Sequence, residues 1–251
     1  MRLDAGILGP VSKEIEQSPK LFFQEHPPST DNDDTMSQTK VVITNAYNEN
    51  YSKKVKRLPT EIIHYNSVFD WLVNDGYPNE DAVYIERSLW FDPDLLYKAD
   101  PVEGAVEFSY RMHQYGIKMP VISARTDLED VKPKVFKNVR ESTVAWYDKW
   151  MPWVSPDDIH IQARNEFQAY IYKSWMINTL GVGIHFEDST FHTDAILTYT
   201  KAKVCLLSNQ VLATQPGHPN LIQINGKNGE LPNMTPVYGM FMGKSECVAQ
   251  Y

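Results

Sequence analysis

The chain is poor in cysteine, in positive charge and in long apolar runs, and each shortage closes off a class of protein. Only Cys205 and Cys247 occur among 251 residues. One bridge could form between them, but neither a disulfide scaffold nor a cysteine-based zinc site could. Lys and Arg total 24 against 32 Asp and Glu, a formal net charge of −8. Nucleic-acid binding needs a cationic face to displace phosphate counterions, so it is not expected. A polybasic membrane anchor is not expected either. The longest apolar runs, such as Val204–Leu207, fall far short of the ~20 residues that span a bilayer. The first 25 residues hold no continuous apolar segment, so no secretory signal is read there, and a cytoplasmic location is the expectation.

What is present is 42% apolar and 22% charged residues, an ordinary globular composition. Residues 1–39 stand apart. They carry three cations and seven carboxylates, a net −4. Their stretch His26–Gln38 (HPPSTDNDDTMSQ) is nearly free of apolar residues. So little apolar surface does not offset ordering entropy, and 1–39 reads as a flexible acidic arm. Leu21, Phe22 and Phe23 within it could dock on a protein partner or on the body of the chain.

From residue 40 the pattern alternates. Strands are expected at Val41–Ala46, Ala82–Glu86, Met119–Ser123, Asp158–Gln162, Gly183–Glu187 and Lys203–Leu207. Helices are expected at Tyr65–Asn74, Val102–Gln114, Leu128–Trp150, Glu166–Leu180 and Thr190–Thr200. Pro101 suits a first helical turn, Gly116 a helix stop and Pro133 a kink or a late start. This succession implies an α/β fold, a three-layer α/β/α Rossmann-like parallel sheet, over residues 40–213. Residues 214–251 are rich in Gly, Pro and Asn. There Leu221–Asn225 followed by GKNG suggests a β-hairpin appendage. Trp146, Tyr147, Trp150 and Trp153 form an aromatic cluster suited to a core or a protein interface.

Ligands bind at the carboxyl ends of strands in open α/β sheets. The residues expected there are Glu86-Arg87-Ser88, Ser123 to Asp127, and Glu187-Asp188-Ser189, with Lys173 from the preceding helix. Carboxylates with a lysine and a hydroxyl suit a phosphate held beside a divalent cation. His185 and His192 flank the acidic pair and read as packing or surface residues.

In the order of these segments the chain resembles the haloacid dehalogenase-like superfamily, over about Ala82–Asn209. VISARTD (Val121–Asp127) looks like that family's second motif, YIYKSW places Lys173 as its lysine, and HFEDS (His185–Ser189) looks like its fourth motif. The resemblance implies a nucleotidase-like phosphohydrolase for a small phosphomonoester, a nucleotide or sugar phosphate. It also implies Mg²⁺ held by Glu86, Glu187 and Asp188, and phosphate held by Ser123, Arg125 and Lys173. The family's first motif is two aspartates separated by one residue, then Gly-Thr-Leu. Laid on VYIERSLWFDP, it puts Tyr84 at the nucleophile, Glu86 at the acid/base, Arg87 at the glycine and Ser88 at the threonine. A tyrosine cannot form the family's phospho-aspartate. Two readings therefore stand: a phosphohydrolase with its nucleophile elsewhere (Asp4 in LDAGIL is one candidate), or an inactive relative with a ligand-binding, structural or assembly role. In the second, Arg87 takes the place of Mg²⁺.

Overall fold

The computed structural model describes residues 19–128, 131, 134–162, 168–208, 215, 217–224 and 232–242. Its centre is a sheet of six parallel strands in the order β3-β2-β1-β4-β5-β6. The strands are β1 (Pro28–Thr30), β2 (Val121–Thr126), β3 (Ile159–Gln162), β4 (Ile184–Glu187), β5 (Lys203–Leu206) and β6 (Leu221–Gln223). The helices in chain order are α1 (Pro19–Glu25), α2 (Thr39–Asn50), α3 (Ser67–Asn74), α4 (Asn79–Trp90), α5 (Pro93–Leu96), α6 (Ala105–Gln114), α7 (Val139–Trp150), α8 (Ala169–Thr179), α9 (Thr190–Tyr199) and α10 (Thr235–Met242). None is long and apolar enough to cross a membrane.

Alternation along the strands divides the core. Val121, Ile184, Phe186 and Cys205 face Phe22, Phe23, Phe108, Trp146 and Phe241 on one side. Ile122, Val204 and Leu206 face Tyr172, Ile177 and Ile196 on the other. The expected α/β/α layering is therefore present. Trp146 and Tyr147 are core residues, with Trp150 and Trp153 packed against them. A third apolar cluster, with Ile43, Tyr47, Val68, Trp71, Leu72, Ala82 and Leu89, knits α2, α3 and α4 into a helical cap between β1 and α6.

Several sequence expectations are corrected. The acidic arm does not run to residue 39: Pro28–Thr30 is a central strand, paired with both β2 and β4. Its burial needs no apolar side chain, because Ser29 Oγ bonds His185 Nδ1 (2.8 Å) and Thr30 Oγ1 donates to the Asp31 carbonyl (2.8 Å). Phe22 and Phe23 dock on the body itself. Residues 1–18, with Asp4, lie outside the described residues.

Val41–Ala46 is not a strand but part of α2. Burial falls on Ile43 and Tyr47, four residues apart, which is a helical stripe. Ala82–Glu86 likewise belongs to α4, whose buried residues Ala82, Glu86 and Leu89 repeat at helical spacing. Strand β2 runs on through Thr126, past the expected end at Ser123, and the helix read from Leu128 begins at Val139. Asn138 caps it by accepting from Glu141 N (2.8 Å).

The carboxyl-terminal part is no appendage. Leu221–Gln223 extends the sheet in parallel beside β5, and Val237 and Phe241 of α10 are fully buried. The expected hairpin turn, GKNG, lies outside the described residues.

Candidate functional site

Strand order reverses at β1, which has β2 on one side and β4 on the other. Such a switch point opens a crevice at the carboxyl ends of the strands. The residues entering it from β1 are Asp31-Asn32-Asp33-Asp34-Thr35, and those from β4 are Glu187-Asp188. Asp31 N donates to Phe186 O (2.9 Å), which fixes the first loop against the second. Asp34 takes φ 55°, in the left-handed region where glycine is favoured.

Five carboxylates and three cations meet here. Lys173 Nζ lies 2.9 Å from Asp31 Oδ1, donates to Glu187 Oε2 (2.7 Å) and is 3.0 Å from His192 Nδ1. Lys40 Nζ donates to Asp188 Oδ2 (2.8 Å) and lies 3.7 Å from Asp34 Oδ2. The Arg125 guanidinium grips Asp33, with Nε and Nη2 at 3.0 and 2.7 Å from Oδ1 and Nε at 3.1 Å from Oδ2. Arg125 Nη1 also donates to Thr143 Oγ1 (2.9 Å), and Thr39 Oγ1 donates to Asp33 Oδ1 (2.6 Å). With its amide oriented to satisfy both sides, Asn32 donates to Tyr147 Oη (3.1 Å) and accepts from Arg125 Nη2 (2.8 Å). Ser123 is fully buried, two residues along β2 from the Thr30–Val121 pair.

The charges do not balance, and the acids show it. Burial pushes the Asp31 carboxyl well above its ordinary range, although Lys173 opposes the rise. Burial takes Asp34 to about 7 against the pull of Lys40, and it also raises Asp188. Burial would raise Asp33 and Glu187 too. Arg125 outweighs it at Asp33, and Lys173 with the two histidines outweighs it at Glu187, so both lie below their ordinary values. Both lysines are held firmly cationic by their carboxylates despite burial.

Among the described residues, Asp31, Glu187 and Asp188 offer oxygens that lie within 4.8 Å of one another. An all-oxygen anionic set suits a hard divalent cation such as Mg²⁺. Asp31 Oδ1 is buried and has no aligned hydrogen bond, because Lys173 approaches it off-line. The residues present therefore fit the ion.

The expected site divides. Ser123, Arg125, Lys173, Glu187 and Asp188 stand around the crevice. Arg125, expected on phosphate, instead has its fork on Asp33. Tyr84 and Glu86 lie on cap helix α4, away from the strand ends. Tyr84 is exposed, and Glu86 is buried, accepting from Phe69 N (3.0 Å). Glu86 is thus not among the clustered oxygens. Nor does Arg87 replace a metal: the ion pairs of Glu187 and Asp188 are made by Lys173 and Lys40. Missed in the sequence were Asp31, Asp33, Lys40 and the contact of His192 with Lys173. The signal was there: DNDDT holds two aspartates separated by one residue, with a threonine two further on.

Comparison with solved structures gives the same fold. A candidate phosphoglycolate phosphatase from Lactobacillus delbrueckii subsp. bulgaricus is 14% identical, with TM-score 0.51 over 80% of this chain and 95% of that one. Protein Tyrosine Kinase A of Mycobacterium tuberculosis is 9% identical, with TM-score 0.55 over 82% of this chain and 96% of that one. A dehalogenase is 9% identical, with TM-score 0.50 over 86% of this chain and 96% of that one. No family model and no curated protein sequence matches the chain. The fold is haloacid dehalogenase-like.

Proposed function

We propose that the protein is a Mg²⁺-dependent phosphohydrolase acting on a small phosphomonoester, a nucleotide or a sugar phosphate. The observation that carries this reading is Asp31. Its carboxylate stands at the end of the central strand, at the switch point, against Lys173 and within 4.8 Å of Glu187 and Asp188 oxygens.

In this reading Asp31 is the nucleophile. Its carboxylate attacks phosphorus, the bond to the leaving oxygen breaks, and Asp33 gives that oxygen a proton. Asp33 then takes a proton from the water that attacks the phospho-aspartate, releasing inorganic phosphate and restoring Asp31. Lys173 and Ser123 hold the phosphoryl oxygens. Lys173 is pre-aimed by Glu187 and His192, so little reorganisation is needed at the moment of reaction. Arg125, anchored on Thr143, orients Asp33. Mg²⁺, held by Asp31 and Asp188 with Glu187 beside them, would neutralise charge on the phosphoryl group. The α2–α4 cap, joined to the core through the paired segments 36–38 and 100–102, would exclude water from a small substrate.

One contact favours a second reading, a ligand-binding relative that does not turn over. Arg125 holds Asp33 as a carboxylate, which opposes its service as an acid. The test is phosphate release from p-nitrophenyl phosphate and a panel of nucleotide and sugar phosphates in Mg²⁺. Turnover that Asp31→Asn abolishes is the expected result. Folded protein that releases no phosphate from any of them supports the second reading.

A further inference from the structure

Resting on the metal site just proposed, we infer that Lys40 is a resident counter-ion of that site and competes with the divalent cation for Asp188. Three observations carry it. First, Lys40 Nζ donates to Asp188 Oδ2 at 2.8 Å, so one of the clustered oxygens already has a cation. Second, the lysine is held on site from two sides. Its backbone N donates to Asp34 Oδ1 (2.9 Å), and its ammonium lies 3.7 Å from Asp34 Oδ2. Third, the excess negative charge that Lys40 offsets is built in, because Asp34 adds a buried carboxylate at a left-handed position where glycine would add none.

A divalent ion that takes Asp188 meets a fixed positive charge within hydrogen-bond distance of its ligand. Like charges at such separation repel strongly where water is largely excluded. Binding therefore requires the ammonium to leave Oδ2 or to share the carboxylate. Lys40 is the second residue of α2, and its neighbour Thr39 ties the same helix to Asp33 (2.6 Å). Displacing the Lys40 ammonium thus loosens one of the ties between the first turn of the cap and the acidic loops, beside those of Thr39 to Asp33 and of the Lys40 backbone to Asp34. Metal occupancy and cap mooring are coupled through one side chain, and each weakens the other.

The experiment is calorimetric titration of the full chain with Mg²⁺ alone, beside thermal unfolding with and without the ion. Lys40→Met removes the competing charge and should bind Mg²⁺ about tenfold more tightly than wild type. Without metal it should unfold at a lower temperature, because Asp34 and Asp188 lose their partner, and saturating Mg²⁺ should close most of that gap. Lys40→Arg keeps the charge and should bind like wild type. Should the Met variant not fold, Lys40→Gln carries the same expectation. Equal or weaker binding by the uncharged variants overturns the inference and leaves the metal site standing. No Mg²⁺ binding by wild type or variants overturns the metal reading, and this inference with it.

Discussion

At the scale of single residues, the proposed chemistry turns on Arg125 and Asp33. A guanidinium that donates through Nε and Nη2 to one carboxylate, and is itself fixed by Thr143, aims that carboxylate as well as neutralising it. If Asp33 protonates the leaving oxygen, the loss on removing Arg125 depends on how much help that oxygen needs. Arg125→Lys keeps the charge but not the fork. It should lower kcat/KM for alkyl phosphates by about 10²-fold, the cost of a ~1 Å misplacement, and for p-nitrophenyl phosphate by much less. A uniform loss across leaving groups, measured by steady-state kinetics, would mean that Arg125 acts on binding or stability instead. The residue scale is also where the sequence was least legible. Tyr84 and Glu86 drew attention because AVYIE looks like a buried strand with an acid at its end. Asp31 and Asp33 were passed over because the residues before them, PST, carry no apolar signal at all.

At the scale of elements, that misreading has one physical source. Consecutive apolar residues such as VVI and AVYI fit a short buried strand and one turn of a half-buried helix equally well. What decided was the partner surface: α2 and α4 each bury one face, turn after turn, in the cap's shared apolar cluster, and β1 is buried by its two neighbouring strands whatever its side chains are. Strands β2, β4 and β5, short runs with apolar residues at alternate positions, were legible. So were α6, with Gly116 at its end, and α9.

Glu86 now belongs to the cap, and its environment makes a pH-dependent prediction. Burial raises its carboxyl to about 7, eased by the Phe69 N–H and reinforced by Asp70. The folded state therefore binds this proton more tightly than the unfolded chain does, and the contribution of Glu86 to stability is greatest below about 4.5 and is lost as pH rises through about 7. Glu86→Gln keeps an acceptor for Phe69 N and removes the charge. It should be more stable than wild type at pH 8, by about 2 kcal/mol, and no more stable at pH 4.5. Urea unfolding at the two pH values measures this, and an equal difference at both would be the contrary result. Gly183 is the other element-scale test. A Cβ there would sit 2.6 Å from His26 Cα, where the chain passes into β1. Gly183→Ala should lower the unfolding midpoint, because the atom it meets is backbone and has little room to move.

For the whole molecule, the net charge of −8 has a different meaning once the fold is known. Part of the acidity read as a flexible arm is the centre of the site: Asp31, Asp33 and Asp34 stand with Glu187 and Asp188 against Lys40, Arg125 and Lys173. A cluster two charges in excess is a cost to the folded chain that a divalent cation would relieve. Mg²⁺ should therefore raise the unfolding temperature in proportion to its binding, by about 2.7 kcal/mol of stability at 100 times its Kd. Asp188→Asn should remove most of that rise.

The most direct measurement is on Asp31 itself. The protein is incubated with p-nitrophenyl phosphate or acetyl phosphate and Mg²⁺, quenched in acid, reduced with borohydride to trap any acyl phosphate, and mapped by peptide mass spectrometry. The expected result is modification at Asp31 alone, absent from Asp31→Asn. Modification at another carboxylate, with Asp31 untouched while phosphate is released, would contradict the assignment of Asp31 as nucleophile.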